Sequence, residues 1–223
     1  MENLTLVIPA KKEKESLPSV INELKKYNLK ILVVLEKSDK ETIESISECD
    51  CQIVFQKNKG YGDAILEGLN FVNTELFCIF NADGSFNPIE LKTMYKELQD
   101  KNFDIIFASR YEKNCGSDDD TFITYIGNFI FTKIGNIFFN IKITDILYTY
   151  VLGNTVQAKK LNLKQKDFRF CVELPIKAQR HKMKLGTINC YERKRIAGKK
   201  KVNAFKDGFL ILSQMIKLFF EKR

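Results

Sequence analysis

The stretch Leu76-Phe77-Cys78-Ile79-Phe80-Asn81-Ala82-Asp83-Gly84-Ser85-Phe86-Asn87-Pro88 decides how this chain is read. Its five leading apolar residues predict a short strand buried on both faces, running into small and polar residues around a carboxylate. A carboxylate, an amide and a hydroxyl at the carboxyl end of a buried strand can hold a hard divalent cation, and through it phosphate oxygens. Asp83 is then the acidic ligand, with Asn81 and Ser85 beside it. The same residues also suit an Asx turn leading into a helix near Pro88.

Working outward, apolar runs alternate with amphipathic ones. Asn3 to Ile8, Lys30 to Leu35, Gln52 to Phe55, Asp104 to Ala108 and Leu185 to Cys190 read as strands. Helical patterns follow Ser16, Ser38, Gly62 and Pro88. Such alternation predicts an α/β fold, a mostly parallel sheet flanked by helices with right-handed crossovers. Lys59-Gly60-Tyr61-Gly62-Asp63-Ala64 joins a loop to a helix, where two glycines would let backbone approach a phosphate near the helix N-terminus; a plain tight turn fits equally. Arg110 leaves the carboxyl end of its strand, so it can reach the crevice of Asp83 and pair with a phosphate; a surface ion pair fits as well.

Beyond residue 110 the character changes. The acidic loop Asp118-Asp119-Asp120 caps Phe122 to Phe139, a segment of near-transmembrane length whose Asn128, Lys133 and Asn136 argue instead for a core or interfacial helix. Its Ile-Gly-Asn repeat places Gly127 and Gly135 near one helical face. An apolar stretch runs from Ile146 to Leu152. In Arg193-Lys194-Arg195-Ile196-Ala197-Gly198-Lys199-Lys200-Lys201, six of nine residues are cationic, a loop suited to a diphosphate or a lipid phosphate. Phe205 to Arg223 reads as an amphipathic helix, with Phe209, Leu212, Met215, Ile216, Phe219 and Phe220 on one side.

Composition narrows the partners. The 223 residues carry a formal charge of +8, which suits an anionic partner such as a phosphorylated small molecule or anionic lipid, while the basic loop lacks the interleaved aromatics of a nucleic-acid patch. Six cysteines without a zinc-like pairing point to a reduced cytoplasmic compartment, and no secretory leader is expected before Leu4 to Pro9. One histidine, His181, leaves no room for a histidine metal cage and is expected to be exposed.

Together these pieces resemble the inverting nucleotide-sugar glycosyltransferases of GT-A fold, family 2, and among them the polyprenol (dolichol) phosphate mannose and glucose synthases. The landmarks are Val7-Ile8-Pro9-Ala10 with Glu13, Ile31 to Val34 with Ser38, Gly60 to Ala64 with Gly68, Asn81 to Ser85 with Pro88, Ala108-Ser109-Arg110-Tyr111, Gly127-Asn128, Asp145, and Arg195 with Gly198 to Lys201. The resemblance implies a single Rossmann-like GT-A domain over 1–223, with a nucleotide-sugar half (1–110), an acceptor half (111–202) and the C-terminal helix (203–223). It implies that Pro9, Ala10, Glu13 and Glu36 line the nucleoside pocket, with Lys59, Gly60, Asp63 and Ala82 on the donor side. Asp83, with Asn81 and Ser85, would hold Mg²⁺ or Mn²⁺, and Arg110, Arg195 and Lys201 would meet phosphates.

This chain departs from that pattern at Lys11-Lys12, Leu35-Glu36, Asn81 and the triplet Asp118 to Asp120. Expected from the whole is sugar transfer from a GDP- or UDP-sugar to polyprenyl phosphate, by an enzyme peripheral to the cytoplasmic membrane face. The alternatives are a glycan hydroxyl acceptor in surface polysaccharide synthesis, with Asp118, Asp119 or Asp120 as base, and a non-catalytic nucleotide-sugar-binding protein. A homo-oligomer is compatible with the sequence.

Overall fold

The computed structural model describes residues 1–112, 115–198 and 200–221; Lys199, Lys222 and Arg223, part of the basic and C-terminal runs above, lie outside them. The first half alternates β1 (Leu4–Pro9), α1 (Leu17–Leu24), β2 (Lys30–Leu35), α2 (Lys40–Ser45), β3 (Gln52–Phe55), α3 (Tyr61–Phe71), β4 (Leu76–Ile79), α4 (Glu90–Asp100) and β5 (Ile105–Ser109). The second half adds β6 (Gly116–Ser117), α5 (Phe122–Phe139), β7 (Val151–Asn154), α6 (Thr155–Lys160), α7 (Phe170–Arg180), β8 (Leu185–Asn189), β9 (Tyr191–Glu192) and α8 (Ala204–Phe220).

Seven strands form one sheet in the order β3-β2-β1-β4-β7-β5-β8. All pairings are parallel except those of β7, which lies antiparallel between β4 and β5. The all-apolar strands are buried on both faces, as a sheet covered by helices on each side requires. One core layer joins Leu6, Ile8 and Cys78 to α1 and α4; the other joins Val7, Ile79 and Phe107 to α3, α7 and α8. A short two-stranded sheet pairs β6 with β9 and ties the acidic loop to the base of the basic loop.

Of the two expectations for α5, core or interfacial, the core helix is excluded. Its buried positions are Asn128, Thr132 and Gly135, while Phe122, Ile126, Phe129, Ile130, Ile137 and Phe138 are exposed. The polar seam is turned inward because Asn128 and Thr132 satisfy groups of the 145–147 segment: Thr132 Oγ1 accepts from the Ile146 amide at 3.1 Å and Asn128 Oδ1 from the Leu147 amide at 3.0 Å. The two Ile-Gly-Asn copies are not equivalent, since Gly135 packs against Ile146 and Gly127 faces open space. By length and composition α5 could cross a bilayer, with 17% of it buried in the fold.

α8 packs on α5 and α7 through Ile211, Gln214, Met215 and Leu218. Of the side read as apolar, only Met215 is buried, while Phe209, Leu212, Ile216, Phe219 and Phe220 stay exposed. His181 ends α7 and is exposed, and among the described residues the cysteines form no disulfide.

Candidate active site

At the carboxyl ends of β1, β2 and β4 lies a cavity of about 570 Å³. Pro9, Ala10, Lys11, Glu13 and Glu36 line one end, Asn81, Ala82 and Asp83 the middle, and Arg195, Lys200 and Lys201 come over from the basic loop. Its remaining wall includes Arg110, Asp119, Asp120 and Glu192, with Tyr61, Phe86, Tyr148 and Phe168 as aromatic lining. The crevice outside the strand ends is where open α/β sheets hold ligands.

Asp83 stands just past β4 in a tight turn. Its Oδ1 accepts the Ser85 amide at 3.0 Å, so the Asx turn is formed, and its Oδ2 lies 3.5 Å from Arg195 Nη1. One oxygen shapes the turn and the other faces the cation Arg195. Asn81 donates to Ser85 Oγ at 3.5 Å, while Ser85 itself is 1% exposed and does not line the cavity.

Arg195 donates from Nε and Nη2 to the two oxygens of Asp119, at 3.0 and 2.8 Å, and Lys200 stands 3.4 Å from the same carboxylate. Against the cost of partial burial, this pairing holds Asp119 below the usual aspartate range. Asp120, which the sequence reading used only as an alternative base, also faces the cavity. It accepts from the Tyr111 hydroxyl and Thr124 Oγ1, and these bonds lower its pKa despite burial. Asp118 does not face the cavity: it is exposed and accepts the Tyr191 hydroxyl at 2.7 Å.

Arg110 lines the cavity, yet its guanidinium is already engaged. Nε and Nη2 donate to Asp145 at 2.7 and 3.1 Å, Nη1 donates to Glu192 at 3.0 Å, and the ring of Tyr148 lies 4.4 Å away. Burial works against its charge, but Asp145 and Glu192 more than offset that and raise its pKa. Arg110 thus organises the wall, with Asp145 fixed in turn by Asn128 Nδ2. Burial pushes Glu192 the other way from Asp119 and Asp120, upward, with Arg110 and Ser117 opposing only in part.

At the cavity end lined by Pro9 and Glu36, Lys201 pairs with Glu13, whose other oxygen accepts Ser16 Oγ at 2.7 Å. Ser16 accordingly makes no side-chain cap to α1. Lys11 pairs with Glu36 at 2.9 Å and holds that carboxyl below its ordinary value. The loop before α3 has a packing role. A Cβ on Gly60 would lie 2.0 Å from Lys166 O, and one on Gly62 2.2 Å from Gln165 O, so both glycines admit the 165–167 backbone. Asp63 is 3% exposed and accepts Asn58 N and Nδ2 at 2.8 and 2.9 Å; Lys59 is exposed and off the cavity. Gly60 remains a lining residue through its backbone.

The motifs do not mark Glu192, Tyr148 and Phe168, whose partners Arg110, Cys190 and Tyr61 lie far along the chain, nor Gln56, which donates to the nearby Asn58 O and Gly60 O. The one available signal was Glu192, a carboxylate immediately before the basic loop.

An uncharacterized glycosyltransferase of Mycobacterium tuberculosis is 31% identical over 107 residues, covering 48% of this chain and 48% of that relative, so the match spans about half the relative's length. An uncharacterized protein of Methanocaldococcus jannaschii is 24% identical over 191 residues, covering 82% of this chain and 79% of its own. Among solved structures, glucosyl-3-phosphoglycerate synthase of M. tuberculosis, crystallised with Mn²⁺, UDP and phosphoglyceric acid, superposes with a TM-score of 0.79 at 10% identity, over 99% of this chain and 79% of that one. The same synthase with Mn²⁺ and UDP-glucose gives 0.75 at 10% identity, over 99% and 80%. These last two likenesses are of fold. The model of glycosyl transferase family 2 matches residues 5–160, and the chain belongs to that family.

Proposed function

We propose that the protein is a metal-dependent hexosyltransferase that moves a sugar from a GDP- or UDP-sugar to an acceptor. The observation that carries this is one cavity lined together by Asp83, Asn81, Glu13, Glu36 and the cations Arg195, Lys200 and Lys201. The residues fit a hard cation. Asp83 Oδ2 already faces a stand-in positive charge at 3.5 Å, and Asn81 adds an amide on the same wall. Among the described residues no group of three or more His, Cys, Asp or Glu could hold a metal alone. Donor phosphates would complete the shell, as in Mg²⁺ sites built from one or two carboxylates plus substrate.

Bound there, Mg²⁺ or Mn²⁺ would offset the charge that grows on the departing nucleoside diphosphate. Arg195, Lys200 and Lys201 supply further positive charge for those phosphates, and Pro9, Ala10 and Ala82 frame the nucleoside and sugar. The Mn²⁺ and UDP of the fold neighbour support this assignment.

For the acceptor we infer polyprenyl phosphate at the cytoplasmic membrane face, with inversion at the sugar. Support comes from α5: Thr124 and Asn128 line the cavity, while Ile126, Phe129 and Ile130 leave an uncovered apolar face beside it. An acceptor phosphate is ionised at neutral pH and needs no base. A glycan hydroxyl acceptor is favoured by a different observation, the commitment of Arg110 to Asp145 and Glu192. For that reading Glu192, raised by burial, suits proton removal better than Asp119 or Asp120, which their partners hold low.

The deciding assay supplies radiolabelled UDP-glucose or GDP-mannose with Mn²⁺ to the full chain, together with polyprenyl phosphate in vesicles and a soluble oligosaccharide. Label extracted into organic solvent is the expected result. Label reaching only a soluble glycan, with loss of transfer in Glu192→Gln, would replace the lipid acceptor by the hydroxyl one.

A further inference from the structure

We infer that Arg195 is a built-in counter-cation for the metal-binding carboxylate, released from Asp83 only when metal and nucleotide arrive together. This rests on the donor-site reading above and adds to it how the site is loaded.

The first part of the basic loop is fastened to the turn that carries Asp83. Arg193 N donates to Ser85 O at 2.9 Å and Ile196 N to Asp83 O at 2.8 Å. The Ile196 side chain lies over Gly84, whose φ is +82° and where a Cβ would come within 2.5 Å of Ile196 Cδ1. Arg193 is clamped to Glu23 at 2.9 and 3.0 Å and to Phe86 O at 2.7 Å. Position 195 is therefore held over Asp83 by backbone on both sides.

From that position the guanidinium bridges two carboxylates, bidentate to Asp119 and 3.5 Å from Asp83. Lys200 joins it on Asp119, and Lys201 neutralises Glu13. Gly198 is exposed with φ +78°, and a Cβ there would meet only Glu13 Oε2 at 3.9 Å. The loop thus combines a fixed base with a cation aimed at Asp83.

A divalent ion approaching Asp83 alone meets a like charge within one ion-pair distance, and among the described residues no group of three or more ligating side chains stands there to compensate. A nucleoside diphosphate changes the balance. Its phosphates offer the guanidinium a bidentate partner as strong as a carboxylate, and they supply the oxygens the metal lacks. Arg195 then turns from Asp83 to the phosphate while Asp83 turns to the metal. The consequence is ordered loading: metal alone binds weakly, and part of the coupling between metal and nucleotide belongs to Arg195.

The test measures Mn²⁺ binding by loss of the free-ion electron paramagnetic resonance signal, on the full chain, with and without UDP or GDP. Arg195→Gln should bind Mn²⁺ alone at least about fivefold more tightly than the unmodified protein, since a unit charge next to the ligand is gone. The same variant should gain less Mn²⁺ affinity from nucleotide, and nucleotide should gain less from Mn²⁺ by the same factor. Arg195→Lys, which keeps the charge, should stay near the unmodified value without nucleotide. Should Arg195→Gln fail to fold by thermal melting, Arg195→Met takes its place. Equal Mn²⁺ affinity in the neutral variant and the unmodified chain, with Mn²⁺ and nucleotide still binding together, overturns the proposal and leaves the donor site standing. No Mn²⁺ binding in any variant with either nucleotide removes the donor site, and the proposal with it.

Discussion

Asp83 has two oxygens with different tasks, one shaping the turn and one facing the cavity. Asp83→Ala should lower sugar transfer by roughly 100-fold, the scale of losing a charge-stabilising group. The melting temperature should fall only by the equivalent of one hydrogen bond, about 1 kcal/mol. Undiminished turnover in that variant removes Asp83 from the site. Gly60→Ala tests a different residue: with φ +127° and a Cβ 2.0 Å from Lys166 O, backbone must move. A loss above about 2 kcal/mol in urea denaturation is expected. Asp119 has a pKa below its ordinary 3.8, so its pairing adds stability above that pH, lost as pH falls through the lower folded value. The melting-temperature gap between the unmodified chain and Asp119→Asn should hold from pH 5 to 8 and close below 3.8. Asp83 was legible because a buried strand points it outward. The ion pairs of Arg110 were not legible because its partners, Asp145 and Glu192, sit 35 and 82 residues away.

Among the helices, α5 inverts the usual pattern, keeping Asn128 and Thr132 inside and its aromatic and branched residues outside. With α8 it builds one apolar face edged by Lys133, Lys206 and Lys217, all exposed. The paired changes Phe129→Ser and Phe209→Ser should alter the melting temperature little, because both side chains are more than half exposed, yet reduce flotation with anionic vesicles. Unchanged flotation would separate this face from the acceptor reading. Asn128→Leu should instead destabilise by about 2–3 kcal/mol, since Asp145 and the Leu147 amide lose buried partners. β7 went unassigned as a strand because Ile146 to Leu152 is a continuous apolar run without period. Its antiparallel insertion between β4 and β5 is a matter of pairing partners.

For the molecule as a whole, donor choice can be read by linkage. A panel of GDP, UDP and dTDP with Mn²⁺ should raise the melting temperature selectively, and a ligand at 100 times its Kd adds about 2.7 kcal/mol. No shift with any of the three would count against a nucleotide site.

The sequence by itself determined the α/β class, the boundaries of β2, β3 and α5, and the place of Asp83, because local periodicity and strand ends are encoded within a few residues. Tertiary structure alone decided which charges stay available. Arg110 and Asp118 are each quenched by a partner, while Arg195 and Asp119 meet over Asp83 across 76 residues of chain. Pairing energies fall steeply with distance, so the outcome depends on packing that no single stretch of sequence contains.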